Sequence, residues 1–230
     1  VLKALVCDID GTLTDEKRRI NTGAIETIRL LLDRDIPVVL ASGNTICFLD
    51  AVARMIGTDG AVIGENGGVF QTGFDGELVV TGDRSVSLRA YDRLTSYYGD
   101  QGVDLIPFSM DLRYVDVAFA KTVPVGEVRD VLADIPVRVI DTGFAIHLQP
   151  PGLSKGNALM KLAPLLSLSP EDFLAVGDSD NDIEMLETAG YGITMKNGSS
   201  GLKKIANSVT ERSYGDGFSD GVLSALERFF

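Results

Sequence analysis

Positive charge is scarce in this chain: 21 lysines and arginines face 33 aspartates and glutamates, for a formal net charge of −12. A nucleic-acid partner would want a basic face, so the balance argues against that class. It does not argue against a phosphorylated small molecule, because a metal and one or two cations reverse the local potential inside an acidic protein. A halophilic origin would also make a chain acidic, and the lysines and arginines that remain leave that open. Histidine occurs once, as His147, and is read as a strand residue outside the catalytic set. Cysteine occurs twice, as Cys7 and Cys47, with neither CxxC nor zinc spacing. Both lie in apolar contexts, which favours reduced core thiols over redox regulation through Cys7 beside Asp8. No apolar run approaches the roughly 20 residues that span a bilayer. The opening VLKALVCDIDG turns acidic too soon for a secretory signal. The expectation is a cytoplasmic protein with no membrane partner, a monomer or a homodimer.

What is present is ordinary globular composition, 45% hydrophobic and 23% charged over 230 residues, enough for one or two domains. The order of elements is α/β. ALVCDI and, after Pro37, VVLASG are short apolar runs suited to buried strands. Between them Ile25, Ile28, Leu31 and Leu32 form one helical stripe, with Asn21 or Thr22 as N-cap. TICFLDAVARMIG is helical in period and Gly57 can end it; AVIGENGG is a third strand running into a glycine loop. Alternation at this spacing implies parallel βαβ units. A hairpin turning at Asp75–Gly76 follows.

The pattern then changes. Residues 83–153 read as helix, strand, helix, strand, strand, and RYVDVAFA alternates as a sheet with one exposed face would. Afterwards the first pattern resumes, with SKGNALMKLAPLL, FLAVGD, NDIEMLETAG and YGITM, then two closing helices. The simplest architecture is a Rossmann-like parallel-sheet core from residues 1–82 and 154–230, with an α+β cap, 83–153, inserted in it.

Four short stretches fall at the carboxyl ends of the core strands or open the resumed core, where open α/β sheets gather their ligand crevice. Asp8 and Asp10 of DIDGT sit two apart, so on a strand both carboxylates face one point, or Asp10 turns as the strand ends. The bland alternative is an acidic strand end with Thr12 capping a turn. Ser42, Gly43 and Asn44 offer a hydroxyl and bare N–H groups at a helix start, a phosphate-binding arrangement or a plain N-cap. Lys155 follows an apolar loop and is an inward cation or a solvated lysine. Asp178, Asp180, Asn181 and Asp182 place three acids and an amide within five residues. They form a hard-cation site, magnesium above all, or an acidic helix start.

Together, in this order and at these positions, the four stretches resemble the haloacid dehalogenase superfamily of aspartate-nucleophile phosphatases. DxDGT and GDxxND carry the likeness across the whole core. The insertion has the place and size of that superfamily's class IIB cap, and the segment between Gly11 and Asn21 is too short for a class I cap. The compact cap, GENGG at 64–68, TGFAIHLQ at 142–149 and YGDG at 214–217 are similar to the archaeal phosphoglycolate phosphatases.

The resemblance implies Asp8 as nucleophile and Asp10 as acid and then base. It implies magnesium held by Asp8, the Asp10 carbonyl and Asp178, with Asp182 holding the metal or its water. Asn181 would orient Lys155 or Asp8. Ser42 and the N–H groups of Gly43 and Asn44 would grip the phosphoryl group, and Lys155 would neutralise its charge. Metal would keep Asp8 ionised, and a drier setting would suit Asp10 as the acid. Arg113, His147 and the SMDLR loop are the cap's candidates for a second anionic group on a small phosphorylated metabolite. The implied reaction is release of phosphate from 2-phosphoglycolate. A sugar-phosphate phosphatase or phosphomutase is the alternative on the same scaffold, and a receiver-type phospho-acceptor the alternative that is not an enzyme.

Overall fold

The computed structural model describes all residues, Val1–Phe230. Contacts divide it into two compact units, Val1–Val79 with Ser154–Phe230, and Val80–Leu153. In chain order the first unit opens with β1 (Ala4–Asp8), α1 (Thr22–Leu32), β2 (Val38–Ala41), α2 (Ile46–Ile56), β3 (Ala61–Gly64), β4 (Val69–Thr72) and β5 (Leu78–Val80). The second unit supplies α3 (Arg84–Gly99), β6 (Val117–Ala120), α4 (Val125–Val131), β7 (Arg138–Asp141) and β8 (Ala145–Gln149). The chain then returns with α5 (Lys155–Leu165), β9 (Phe173–Gly177), α6 (Ile183–Thr188), β10 (Tyr191–Thr194), α7 (Ser200–Ile205), β11 (Ser208–Val209) and α8 (Tyr214–Phe229). No helix is long and apolar enough to cross a membrane.

The first unit is built on one sheet in the order β11-β10-β9-β1-β2-β3-β4-β5. The strand β1 lies parallel to both β2 and β9. The chain therefore builds outward from β1 on one side, then returns to build on the other. That reversal is the topological switch point at which open α/β sheets hold ligands. Strand parity sorts the core. Leu5 and Cys7 point into one apolar layer with Ile28, Leu49 and Phe218. Ala4 and Val6 point into the other, with Leu159, Leu162 and Met185. Period-2 alternation puts Asp8 on the face of Ala4 and Val6, which α5 covers. The helix starts follow local chemistry: Asn21 Oδ1 accepts the Ala24 N–H at 3.0 Å, and Gly57 closes α2 at φ +107°. Cys7 is a buried thiol whose proton is held tightly by burial, whereas Cys47, also expected in the core, is exposed on α2.

The second unit is an antiparallel sheet in the order β6-β8-β7, with α3 and α4 packed over a core that includes Leu94, Phe119, Val128 and Ile146. The N–H of Phe108 donates to the Ala118 carbonyl at 2.7 Å, so a further extended segment runs beside β6. The alternation in RYVDVAFA implied a longer strand with a solvated face, and the structure corrects this. The strand begins only at Val117, every residue of β8 is buried, and Asp116 is fully buried. Its carboxylate lies between the Arg113 guanidinium, 2.5 Å away, and His147 Nδ1, 2.7 Å away. An acid can take an inward position when basic partners meet it there, here Arg113 from the same segment and His147 from β8. This also removes Arg113 and His147 as receivers of a substrate anion, since both are buried and held by Asp116.

Candidate active site

All four chemistry-bearing stretches lie in the first unit, at the carboxyl ends of β1, β2 and β9 and the start of α5. Asp8 is the last residue of β1 and is 6% exposed. Lys155 is the first residue of α5 and wholly buried, after the Ser154 N-cap. Its Nζ donates to Asp8 Oδ1 at 2.5 Å and to Asp182 Oδ1 at 2.7 Å. The solvated-lysine alternative is thereby excluded. Asp182 Oδ2 accepts the N–H groups of Asp178 and Ser179, each at 3.1 Å, so both of its oxygens are occupied. The missing side chain of Gly177 makes room for that turn, since a Cβ there would lie 2.5 Å from Asp182 Cγ.

Asp8, Asp178 and Asp182 each offer a carboxylate oxygen within 4.8 Å of the other two. Three acids share one lysine, and the electrostatics follow from that shortage. Burial pushes Asp8 well above the ordinary carboxylate range; Lys155 draws it back in part, and Asp182, Asp178 and Asp10 push it further. Asp178 is pushed up to about 7, first by burial and then by the charge of Asp182. Burial opposes the charge of Lys155, but Asp182 and Asp8 outweigh it and hold the ammonium protonated. A buried cluster of oxygen donors with surplus negative charge fits a hard divalent cation. Asp8 Oδ2 and Asp178 Oδ2 are the carboxylate oxygens that protein donors leave open, since Asp178 Oδ1 accepts the Ser179 hydroxyl at 3.0 Å. Gly11, at φ +83°, passes so close that a Cβ would lie 2.2 Å from Asp178 Oδ2.

Asp10 stands apart from this cluster, beyond the strand end and half-buried. Its Oδ2 accepts the Asn44 side-chain amide at 2.9 Å. The expectation that Asp10 occupies the drier setting is therefore reversed. Asp8 is enclosed because it ends a central strand under α5, whereas Asp10 has already turned outward. Ser42 Oγ accepts both the backbone N–H and the side-chain amide of Asn44, each at 3.1 Å. Those bonds occupy its lone pairs and leave its proton to donate. They also commit the Asn44 N–H, expected to hold phosphate, to Ser42 instead. Gly43 lies between them in the same turn.

Asn181 does not touch Lys155 or Asp8: its amide donates to Asn66 Oδ1 at 2.9 Å. Two positions went unread in the sequence. Asn197 donates to the Gly11 carbonyl at 2.8 Å and accepts the Tyr214 N–H at 2.8 Å, tying the DxDGT turn to the start of α8. Asn66 lies in the GENGG loop, whose glycines gave the only sequence signal for it.

The model of the haloacid dehalogenase-like hydrolase family matches residues 5–130 and 130–222. A phosphoglycolate phosphatase of Methanoculleus marisnigri is 53% identical over 224 residues, covering 96% of each chain. One of Methanospirillum hungatei is 46% identical over 218 residues, covering 95% of this chain and 94% of the relative. Among solved structures, a Thermoplasma acidophilum protein superposes with a TM-score of 0.86 at 26% identity, covering 97% of this chain and 98% of the other. A haloacid dehalogenase-like hydrolase from Bacteroides thetaiotaomicron shares the fold, at a TM-score of 0.78 and 23% identity over the full length of both. A parallel sheet with its acids, hydroxyl and lysine gathered at the switch point, and relatives matched nearly end to end, agree: the chain belongs to the haloacid dehalogenase-like hydrolases.

Proposed function

We propose that the chain is a magnesium-dependent phosphatase that hydrolyses a small phosphate monoester, 2-phosphoglycolate foremost, through an aspartyl-phosphate on Asp8. The observation that carries this reading is the Asp8 carboxylate at the end of β1, anchored through Oδ1 by Lys155 at 2.5 Å with its second oxygen open. An anchored carboxylate with one free oxygen is oriented for in-line attack on phosphorus. The nearly full-length relatives named phosphoglycolate phosphatase support the choice of substrate.

One carboxylate oxygen of Asp8 attacks phosphorus as the ester oxygen leaves, and that leaving oxygen takes the proton of Asp10. Water then attacks the aspartyl-phosphate and gives a proton back to Asp10, and the phosphorus–oxygen bond to Asp8 breaks, releasing phosphate. Asn44 decides which oxygen of Asp10 works. Its amide N–H occupies Oδ2, so the proton in transit belongs on Oδ1. The Ser42 hydroxyl donates to a phosphoryl oxygen, and the Lys155 ammonium offsets charge that grows at the reacting centre. Asp8 and Asp178, with the Asp10 carbonyl, would hold the magnesium ion, and Asp182 would reach it through water because its oxygens already hold Lys155 and two N–H groups. When bound, such an ion supplies the positive charge that lets a carboxylate approach an anionic ester.

The test is the initial rate of phosphate release from 2-phosphoglycolate and from a hexose phosphate at equal concentration, with and without magnesium. A magnesium-dependent preference for 2-phosphoglycolate is expected. Equal or reversed rates would refute the substrate, and magnesium-independent release would refute the cofactor.

A further inference from the structure

The GENGG loop contributes no group to the chemistry above, yet it touches three of the four stretches that do. The Asn66 N–H donates to the Ser42 carbonyl at 3.1 Å, and the Glu65 N–H to the Asn44 carbonyl at 3.0 Å. Gly67 approaches so closely that a Cβ would lie 2.0 Å from the Ser154 carbonyl oxygen and 3.0 Å from the Lys155 nitrogen. The Asn66 side-chain oxygen accepts the Asn181 amide at 2.9 Å, within the turn that carries Asp180 and Asp182.

The backbone conformation here is uncommon. Glu65, Asn66 and Gly67 have φ of +51°, +52° and +93° in succession. Two non-glycine residues in a row in the left-handed region persist only where the surroundings hold them there, and such positions gather at functional sites. Asn66 is also 1% exposed, and its Nδ2 is buried with no hydrogen-bond partner. Glycine would satisfy this backbone better and would bury no unpaired donor. A residue that is locally worse than glycine on both counts needs a reason, and the one interaction its side chain makes is with Asn181.

We infer that Asn66 is a positioning residue: through Asn181 it fixes the Asp180–Asp182 turn, and through that turn the Asp182–Lys155–Asp8 chain that aims the nucleophile. The inference rests on the phosphoryl-transfer reading above and deepens it. The path is contiguous. Asn66 holds Asn181; the next residue, Asp182, holds Lys155 at 2.7 Å; Lys155 holds Asp8 at 2.5 Å. The same loop pins the Ser42 carbonyl, so the hydroxyl that meets the phosphoryl group and the carboxylate that attacks it are referred to one frame.

Asn66→Gly separates this role from a structural one, because glycine accepts the backbone conformation and removes only the amide. With p-nitrophenyl phosphate and magnesium, kcat is expected to fall about ten- to a hundredfold, the range for residues that orient catalytic ligands. KM should stay within about twofold and the melting temperature should hold or rise. Asn181→Ala should lose a similar factor in kcat, and the double variant no more than either single one, since both break one link. Unchanged kcat in Asn66→Gly, activity that falls only in step with melting temperature, or fully additive losses would each overturn the inference. Failure of the unaltered protein to hydrolyse any phosphate ester would count against the proposed function instead. In that event a crystal structure of Asn66→Gly decides: a displaced Asp180–Asp182 turn and Lys155 support the inference, and an unmoved turn overturns it.

Discussion

The molecule contains two buried ionic networks, one in each unit, and their charge ratios are opposite. In the first unit Lys155 is the single cation among Asp8, Asp178 and Asp182. In the second, Asp116 is the single acid between Arg113 and His147. Both are dry, so both pay heavily for charge that is not matched. Their titration responds in opposite directions. Burial and mutual repulsion push Asp178 up to about 7. Burial also acts to raise Asp116, but the His147 hydrogen bond and the charges of His147 and Arg113 outweigh it and hold the carboxyl below its usual range. A buried network whose acid is satisfied from within the protein holds structure together. A buried network with surplus negative charge could hold a cation, as proposed for magnesium.

The largest effect separating the two comes from Asp8→Asn. Phosphate release should fall on the order of 10⁴-fold or more, while the melting temperature holds because the substitution removes one of the crowded charges. Next is removal of the minority charge from each network. Lys155→Met removes the cation that Asp8 and Asp182 share, and Asp116→Asn removes the carboxylate charge that Arg113 and His147 share. Chemical denaturation should show a loss of about 3–5 kcal/mol in each case. A negligible loss for Lys155→Met would mean that the acids of the first unit do not depend on it.

Magnesium should act on one network alone. At a hundredfold excess over its Kd it should add about 2.7 kcal/mol to stability. Asp178→Asn should abolish that gain, and Asp116→Asn should leave it intact. The smallest effect is the sign of the pH dependence with a chelator present. A raised acid binds more protons folded than unfolded, so Asp178 should make the protein less stable as pH rises from about 4 toward 7. A depressed acid works the other way. The contribution of Asp116 is fully present above the unfolded carboxylate value of about 4, and is lost as pH falls through the lower folded value. Differences between the unaltered protein and the Asp178→Asn and Asp116→Asn variants should therefore slope oppositely. Parallel slopes would erase the distinction.

The sequence made the first unit legible because its chemistry is local. DIDGT and GDSDND carry their acids within a few residues, at the ends of apolar runs that parity and length mark as buried strands. What stayed hidden depends on partners far apart in the chain. Alternation in RYVDVAFA looks the same whether Asp116 faces water or faces Arg113 and His147, and His147 lies 31 residues further on. Asn66 and Asn181 are 115 positions apart. Asn197 reaches Gly11 across 186. Asparagines in glycine-rich loops are ordinary turn residues until the fold shows what their amides hold. Asn44 was legible as a residue of the hydroxyl loop, but its grip on Asp10 was not, because that bond joins the ends of two different strands.

Trapping the covalent intermediate tests the proposed chemistry most directly. The protein would be quenched during turnover of 2-phosphoglycolate with magnesium and treated with borohydride, which reduces an acyl phosphate to the alcohol. Peptide mapping should find homoserine in place of Asp8 and unmodified aspartate at positions 10, 178 and 182. Turnover with no reduced residue at position 8, or reduction at Asp10 instead, would contradict the assignment of Asp8 as the nucleophile.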